Sequence, residues 1–175
     1  ANSSKFGYDA GWIGIAGSSA AGHLAAIVGV TNGHETLEGT VGDFLDQSSD
    51  VQAIVSFYGA ANLTSILSQS TPHGLNVRVP ALELLLGGSP EDKAELAELA
   101  SPVFHVDEND PPLLLIHGDQ DPQMPINQSH ELKGAYDRAG ASARFIVVHG
   151  GAHGGKGFYT GDQLKKVADF FNKSR

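Results

Sequence analysis

Four short apolar runs, at residues 12–16, 51–58, 113–116 and 144–148, limit the fold more than any other feature of the chain. Each has strand length. They lack the polar alternation that would leave one face of a sheet in water, so they read as strands buried on both faces. Such strands belong to a mainly parallel sheet, and the stretches between them have the helical character that crossover connections need. The expected architecture is therefore α/β, with about four mainly parallel strands flanked by helices.

The helices leave local signals. Residues 24–30 continue helically from a glycine-rich turn at 17–22, and 127–139 form a helix that Gly140 stops. In 90–100, Ser89 is a cap, Pro90 takes the first helical position, and Glu91 and Asp92 sit near the positive end of the dipole. Leu164, Val167, Phe170 and Phe171 recur at helical spacing in 161–171, which predicts a closing amphipathic helix. Residues 62–101 are otherwise irregular, with Ser/Thr/Gln stretches and an apolar turn at 81–86. They read as a helical or loop insertion within one domain spanning 1–175. A chain of 175 residues buries roughly 68 to 70% of its unfolded surface, enough for one core.

Charge and composition exclude several partners. A net charge of −9 with scattered basic residues repels phosphate backbones and anionic lipid, so nucleic acid and membrane are not expected partners. The run at 113–116 is far short of the roughly 18 to 20 apolar residues of a membrane span, and the protein reads as soluble. The chain has no Cys, which removes thiolate metal sites and disulfides and is compatible with a cytoplasmic or a secreted location. It shows neither a signal-peptide pattern nor an initiator Met, and reads as processed, truncated or internally started.

The chemistry begins at the turn after the first strand. Gly17, Ser19 and Ala21 occupy the positions of a G-x-S-x-G motif, with Ala for the last Gly. A serine on a strained strand-to-helix turn needs small neighbours and presents its hydroxyl at the top of a sheet. The helix that follows brings amides and a positive dipole end, with the Ala20 amide the natural donor to a developing oxyanion. Ser18 is the rival hydroxyl, at an x position. A phosphate cradle fits less well, since neither the G-x-G-x-x-G nor the P-loop spacing is met and no Lys follows.

An activated serine needs an imidazole, and the imidazole needs a carboxylate. The loop after the third strand carries His117, Asp119 and Asp121; the loop after the fourth carries His149 and His153. The chain order Ser, acid, His is thus satisfied twice over. Asp119 and His117 lie close to the strand end and read as structural. His153 has glycines around it and room to swing toward the serine, which spacing favours only mildly over His149. The remaining histidines, 23, 34, 73, 105 and 130, lack metal-ligand spacing and read as surface or packing residues, and the acidic turn Asp107, Glu108 and Asp110 reads as a solvated loop. No metal or cofactor is implied. Tyr58, Met124 and Phe158 are candidate walls of a substrate pocket, with ordinary packing as the alternative.

Five ordered blocks together resemble one family: AGSSAAGHLAA at 16–26, VQAIVSFYGAANL at 51–63, SPVFHV at 101–106, PPLLLIHGDQDPQMPINQS at 111–129 and HGGAHGGKGF at 149–158. They are similar to the esterase and lipase branch of the α/β-hydrolases, which includes hormone-sensitive-lipase-like and bacterial acetyl or feruloyl esterase-like enzymes. The resemblance implies a partial α/β-hydrolase fold with Ser19 as nucleophile, Asp121 as acid and His153 as base. Ala21, Met124 and Ala152 depart from the family pattern by small changes. A larger departure is at the front, where enzymes of this kind carry further strands and an HGG-type loop with more oxyanion amides. The expectation is a weakly active chain with an apolar strand edge at 12–16 that a second copy, or a complementing N-terminal segment, covers. The implied activity is hydrolysis of short-chain acyl esters, small-molecule or polysaccharide, through an acyl-enzyme, with acetyl or feruloyl esters of plant polysaccharide as the nearest analogy. A prolyl-oligopeptidase-like peptidase and an inert binding module on the same scaffold are the competing readings.

Overall fold

A computed structural model describes residues 2–175. In chain order the elements are α1 (Ser3–Phe6), β1 (Gly14–Ser18), α2 (Ala20–Val30), α3 (Glu35–Glu38), β2 (Ala53–Phe57), α4 (Ile66–Gln69) and α5 (Pro72–Leu86). There follow α6 (Ala94–Leu99), a 3-10 turn at Pro102–Phe104, β3 (Leu113–Gly118), α7 (Asn127–Ala139), β4 (Ala143–Val148), a 3-10 turn at Lys156–Phe158 and α8 (Gly161–Lys173). The strands form one parallel sheet in the order β1-β2-β3-β4. This is the α/β architecture that the apolar runs predict.

The residues of β2 and β3 are buried throughout, as central parallel strands require. Alternate side chains serve the two faces. On one, Ile54, Leu113 and Leu115 pack with Ala25, Ala26 and Val30 of α2 and Leu132 and Tyr136 of α7. On the other, Val55, Phe57, Leu114 and Ile116 meet Phe158 and the inner side of α8, formed by Val167, Phe170 and Phe171. Leu164, expected on that apolar side, is exposed instead. A third cluster, with Leu63, Ile66, Leu82, Leu86, Ala97 and Met124, joins the helices between β2 and β3 to the loop after β3.

Three boundaries differ from the sequence reading. Strand pairing begins at Gly14 opposite Ala53, because Trp12 turns aside to pack edge-on against Phe171 and donates its indole N–H to the Ser174 carbonyl. The helix expected over 90–100 shrinks to Ala94–Leu99. The Ser89 hydroxyl accepts from the Asp92 amide and donates to its carboxylate, closing a separate turn, and Lys93 (φ −123°, ψ 43°) interrupts helical continuity. Conversely, 72–86 is one long helix where an irregular segment with an apolar turn is expected. Thr71 caps it by accepting from the Gly74 amide, Pro72 opens it, and Gly87 in the left-handed region closes it. Pro80 inside it donates no amide hydrogen, and the rest of the helix tolerates the loss.

Two glycines separate packing from propensity. A Cβ on Gly118 would lie 2.1 Å from the Gly151 carbonyl oxygen, a backbone atom that cannot swing away, whereas one on Gly134 in α7 would meet only the mobile end of Arg138, at 3.3 Å. Gly118→Ala is expected to cost about 1 to 3 kcal/mol and Gly134→Ala to stabilise by about 0.5 to 1 kcal/mol. Denaturant midpoints should move in opposite directions.

Candidate active site

Every strand of a parallel sheet points its carboxyl end the same way, and the loops that leave β1, β3 and β4 meet there. Ser19 follows β1 directly. Its backbone is held at φ 56°, ψ −118°, a conformation that L side chains rarely adopt. The Ser19 amide donates to the Phe57 carbonyl (2.9 Å), and α2 starts at once behind it. A Cβ on Gly17 would sit 2.0 Å from the Ala21 carbonyl oxygen, so glycine is required before the serine. The expectation that residue 21 is equally confined is not met: Ala21 is exposed, and the close approach belongs to Gly22, whose added Cβ would lie 2.8 Å from the Phe57 carbonyl. Ala in the motif's last position is therefore unobstructed.

The Ser19 hydroxyl lies 2.9 Å from His153 Nε2, and His153 Nδ1 lies 2.7 Å from Asp121 Oδ2. With Nδ1–H donating to the carboxylate, Nε2 is free to accept from the hydroxyl. The structure thus brings Ser19, His153 and Asp121 into one relay. The rival residues form other pairs: Asp119 accepts from His149 Nδ1 (2.9 Å) and the Gly150 amide (2.7 Å) near the surface, and Ser18 bonds to Tyr159 (2.8 Å).

Asp121 is the best-bonded group of the site. Its side chain is fully buried, which by itself would raise its pKa. Hydrogen bonding to His117 and His153 and from the Met124 and Gln123 amides outweighs burial and holds the carboxyl well below the usual range. The two amides donate to Oδ1 at 2.8 Å each, and His117 Nε2 lies 3.4 Å from Oδ2. His117, fully buried, also bridges the Ser129 hydroxyl (2.7 Å) and the Met124 carbonyl (3.0 Å), which welds α7 to this loop.

The candidate pocket walls separate. Met124 lines a cleft of about 400 Å³ beside Ser19, with Ala20, His23, Leu63, Leu82 and Arg78 among its other walls. Tyr58 and Phe158 do not line it. Phe158 is 0% exposed, and Tyr58 lies between it and His153, edge-on to both rings at 4.8 Å. They support the imidazole from behind because their rings fill the sheet face that α8 covers. Tyr58 holds a positive φ of 40°, and its hydroxyl bonds to Tyr159 (2.7 Å). Burial, then that bond, pushes its pKa up to about 12. Ala20 is the first residue of α2, so its amide has no partner within the helix, and the residue lines the cleft beside Ser19.

Two cleft residues escape the sequence reading. His23 lies one helical turn beyond Ser19, a spacing that places both on one face of α2. Its Nε2 donates to the Ala100 carbonyl (2.7 Å), and burial lowers its pKa. Arg78 belongs to α5, where Pro80 obscures the helical pattern. Of the other histidines, His105 bonds to the Leu99 carbonyl, His34 packs edge-on to it and His130 packs on Phe145. Among the described residues no group of three or more His, Asp or Glu is arranged to hold a metal ion, and no helix is long and apolar enough to cross a membrane.

The BD-FAE family model matches residues 1–136. The chain belongs to the BD-FAE family. This places it among the α/β-hydrolase esterases. It is 32% identical to Esterase LipC of Mycobacterium tuberculosis (strain ATCC 25618 / H37Rv), covering 99% of this chain and 43% of that protein. It is 30% identical to Esterase LipQ of the same organism, over 81% of this chain and 32% of that protein. The BD-FAE chain therefore spans less than half the length of these curated relatives. Among solved structures, a truncated form of a carbohydrate esterase from gut microbiota is 37% identical with a TM-score of 0.89, covering 99% of this chain and 63% of that one. A bifunctional GH43-CE protein of Bacteroides eggerthii is 36% identical with a TM-score of 0.88, covering 99% and 23%.

Because the Asp121 pKa is depressed on folding, its contribution to stability is complete above the unfolded carboxylate value of about 4 and is lost as pH falls toward the folded value. Asp121→Asn should therefore lower the urea midpoint at pH 7, and the gap to the native chain should narrow steadily between about pH 4 and pH 2. A gap independent of pH would show that the ionised carboxylate is not the stabilising species.

Proposed function

We propose that this chain is the triad-bearing part of a serine carboxylic ester hydrolase that works through an acyl-enzyme. The observation that carries the reading is the unbroken relay from Ser19 through His153 to Asp121. Ser19 Oγ attacks the ester carbonyl carbon as His153 Nε2 takes the hydroxyl proton, and the Ala20 amide holds the oxyanion. Collapse of the tetrahedral intermediate breaks the bond to the alcohol oxygen, which leaves with the proton from His153. Water, deprotonated by His153, then attacks the acyl carbonyl and frees Ser19 and the acid. Asp121 keeps the imidazole in the tautomer that accepts at Nε2 and steadies it while it is charged.

The substrates we propose are short-chain acyl esters on carbohydrate, with acetyl or feruloyl groups of plant polysaccharide the leading candidates. A solved neighbour 37% identical to this chain is a carbohydrate esterase, which supports that choice. The chain acts as one domain in which 62–101 is an insertion that roofs the cleft. We also propose that a second copy, or a segment outside this chain, pairs with β1. In support, β1 bonds only to β2 among the described residues, and Ile13 beside it is 45% exposed. Light scattering that gives an 18.3 kDa particle, together with fast exchange of the amides of 14–18, would sink that pairing.

A fluorophosphonate probe should label the native chain and leave Ser19→Ala unlabelled. Ser19→Ala should also lower p-nitrophenyl acetate hydrolysis by about 10³-fold or more. A dipeptide anilide should not be turned over. A folded native chain that neither labels nor hydrolyses would favour an inert scaffold.

A further inference from the structure

Arg78 is the one permanent cation among the described residues that line the Ser19 cleft, whose other walls are alkyl groups apart from Ser19 and His23. Its Nε is shut away from solvent without a hydrogen-bond partner, and no ion pair among the described residues includes its guanidinium. Asp121 is near enough for its charge to be felt but is already bonded to His153, Gln123 and Met124. His23 is committed to the Ala100 carbonyl. A buried donor left unmatched is costly, and an alkyl side chain would fill the same wall without that cost. Burial pulls the Arg78 pKa down and the field of Asp121 offsets only part of that, and a guanidinium keeps its charge through such a shift.

The helix that carries Arg78 is not loosely placed. Thr71, its cap, donates to the Pro122 carbonyl (2.6 Å) in the loop of Asp121. Gly74 lies so close to that loop that a Cβ there would meet the Gln123 carbonyl at 3.0 Å. The helix that carries Arg78 is thereby fixed relative to the acid loop and, through His153, to Ser19.

We infer that Arg78 anchors a substrate carboxylate, so that the cleft selects esters bearing an anionic group on the acyl chain or on an acidic sugar of the alcohol half. The inference rests on Ser19 being the nucleophile. A carboxylate is the acceptor that a planar guanidinium fork matches with two parallel hydrogen bonds, and none of the described residues supplies one to Arg78. The net charge of −9 opposes anionic substrates at long range, but at about 0.15 M salt that field is screened beyond roughly 8 Å and the local contact decides.

Two substrate pairs test this in the full chain at about 0.15 M salt: p-nitrophenyl hemisuccinate against p-nitrophenyl butyrate, and methyl glycosides of acetylated glucuronic acid against acetylated glucose. The native chain should favour the carboxylate member of one pair by about 10-fold or more in kcat/KM, mainly through KM, since charge-assisted hydrogen bonds reach that size. The pair that shows the preference identifies which half carries the anion. Arg78→Gln should bring the ratio to about one, and Arg78→Lys, which keeps the charge and loses the fork, should retain part of it. Parity within both pairs in the native chain, or a preference that survives Arg78→Gln, overturns the assignment. Where no ester is turned over, the proposed function fails but Arg78 is still scored by binding. Monomethyl succinate should shift the NMR signals of Ser19→Ala at concentrations where methyl butyrate does not, and the Ser19→Ala/Arg78→Gln double variant should lose that difference. Equal response to the two esters counts against Arg78.

Discussion

The carboxylate of Asp121 is the constraint on which the candidate site depends. Two amides of its own loop occupy one oxygen and two imidazoles approach the other, and the side chain has no access to water. A buried charge is tolerable only when it is matched in this way. Each match also ties a different part of the chain: the amides shape the loop after β3, His117 brings in α7 through Ser129, and His153 brings in the loop after β4. Loss of the carboxylate would loosen all three, so the proposed chemistry and the local stability share one group.

Strain and close contact bring the serine to that arrangement. Ser19 and Tyr58 are the two non-glycine residues with positive φ among the described residues, and they stand at the ends of the neighbouring strands β1 and β2. Around them Gly17, Gly22 and Gly59 permit backbone approaches that no Cβ would fit. The unfavourable backbone at Ser19 is held by the hydrogen bond that its amide donates to the Phe57 carbonyl and by the immediate start of α2, while Tyr58 is pinned by the hydrogen bond that its amide donates to the Ile116 carbonyl and by packing on Phe158. The rigid sheet thus bears the cost of presenting one hydroxyl to one imidazole.

Much of the scaffold is legible from local patterns, and its misreadings have local causes. The helix Asn127–Ala139 and its Gly140 stop are readable because cap chemistry and periodicity agree there. The helix Pro72–Leu86 is not, because Pro80 lies within it and its buried positions, Gly74, Leu82 and Leu86, do not form a continuous apolar stripe. The overlong helix at 90–100 arises from a Ser-Pro-acidic signature that is real but closes a turn, since two hydrogen bonds between the Ser89 hydroxyl and Asp92 satisfy it. Phe158 and Tyr58 look like pocket walls from their neighbours in sequence, whereas the sheet buries them behind the imidazole.

By itself the sequence determined that the chain is a parallel α/β sheet, that its reactive side chains lie in loops at the carboxyl ends of strands, and that the serine follows a position, Gly17, where no larger side chain fits. These follow from periodicity, strand length and steric limits, all of which act over a few residues. Residue order and spacing left open which carboxylate meets which imidazole, and the family resemblance implied Asp121 and His153; tertiary structure brought those groups together, with Ser19 and His153 standing 134 residues apart and His153 and Asp121 32 apart, and it alone placed Arg78 in the wall of the Ser19 cleft. Hydrogen-bond geometry and burial act between groups that folding brings together, and no run of neighbouring residues carries that information.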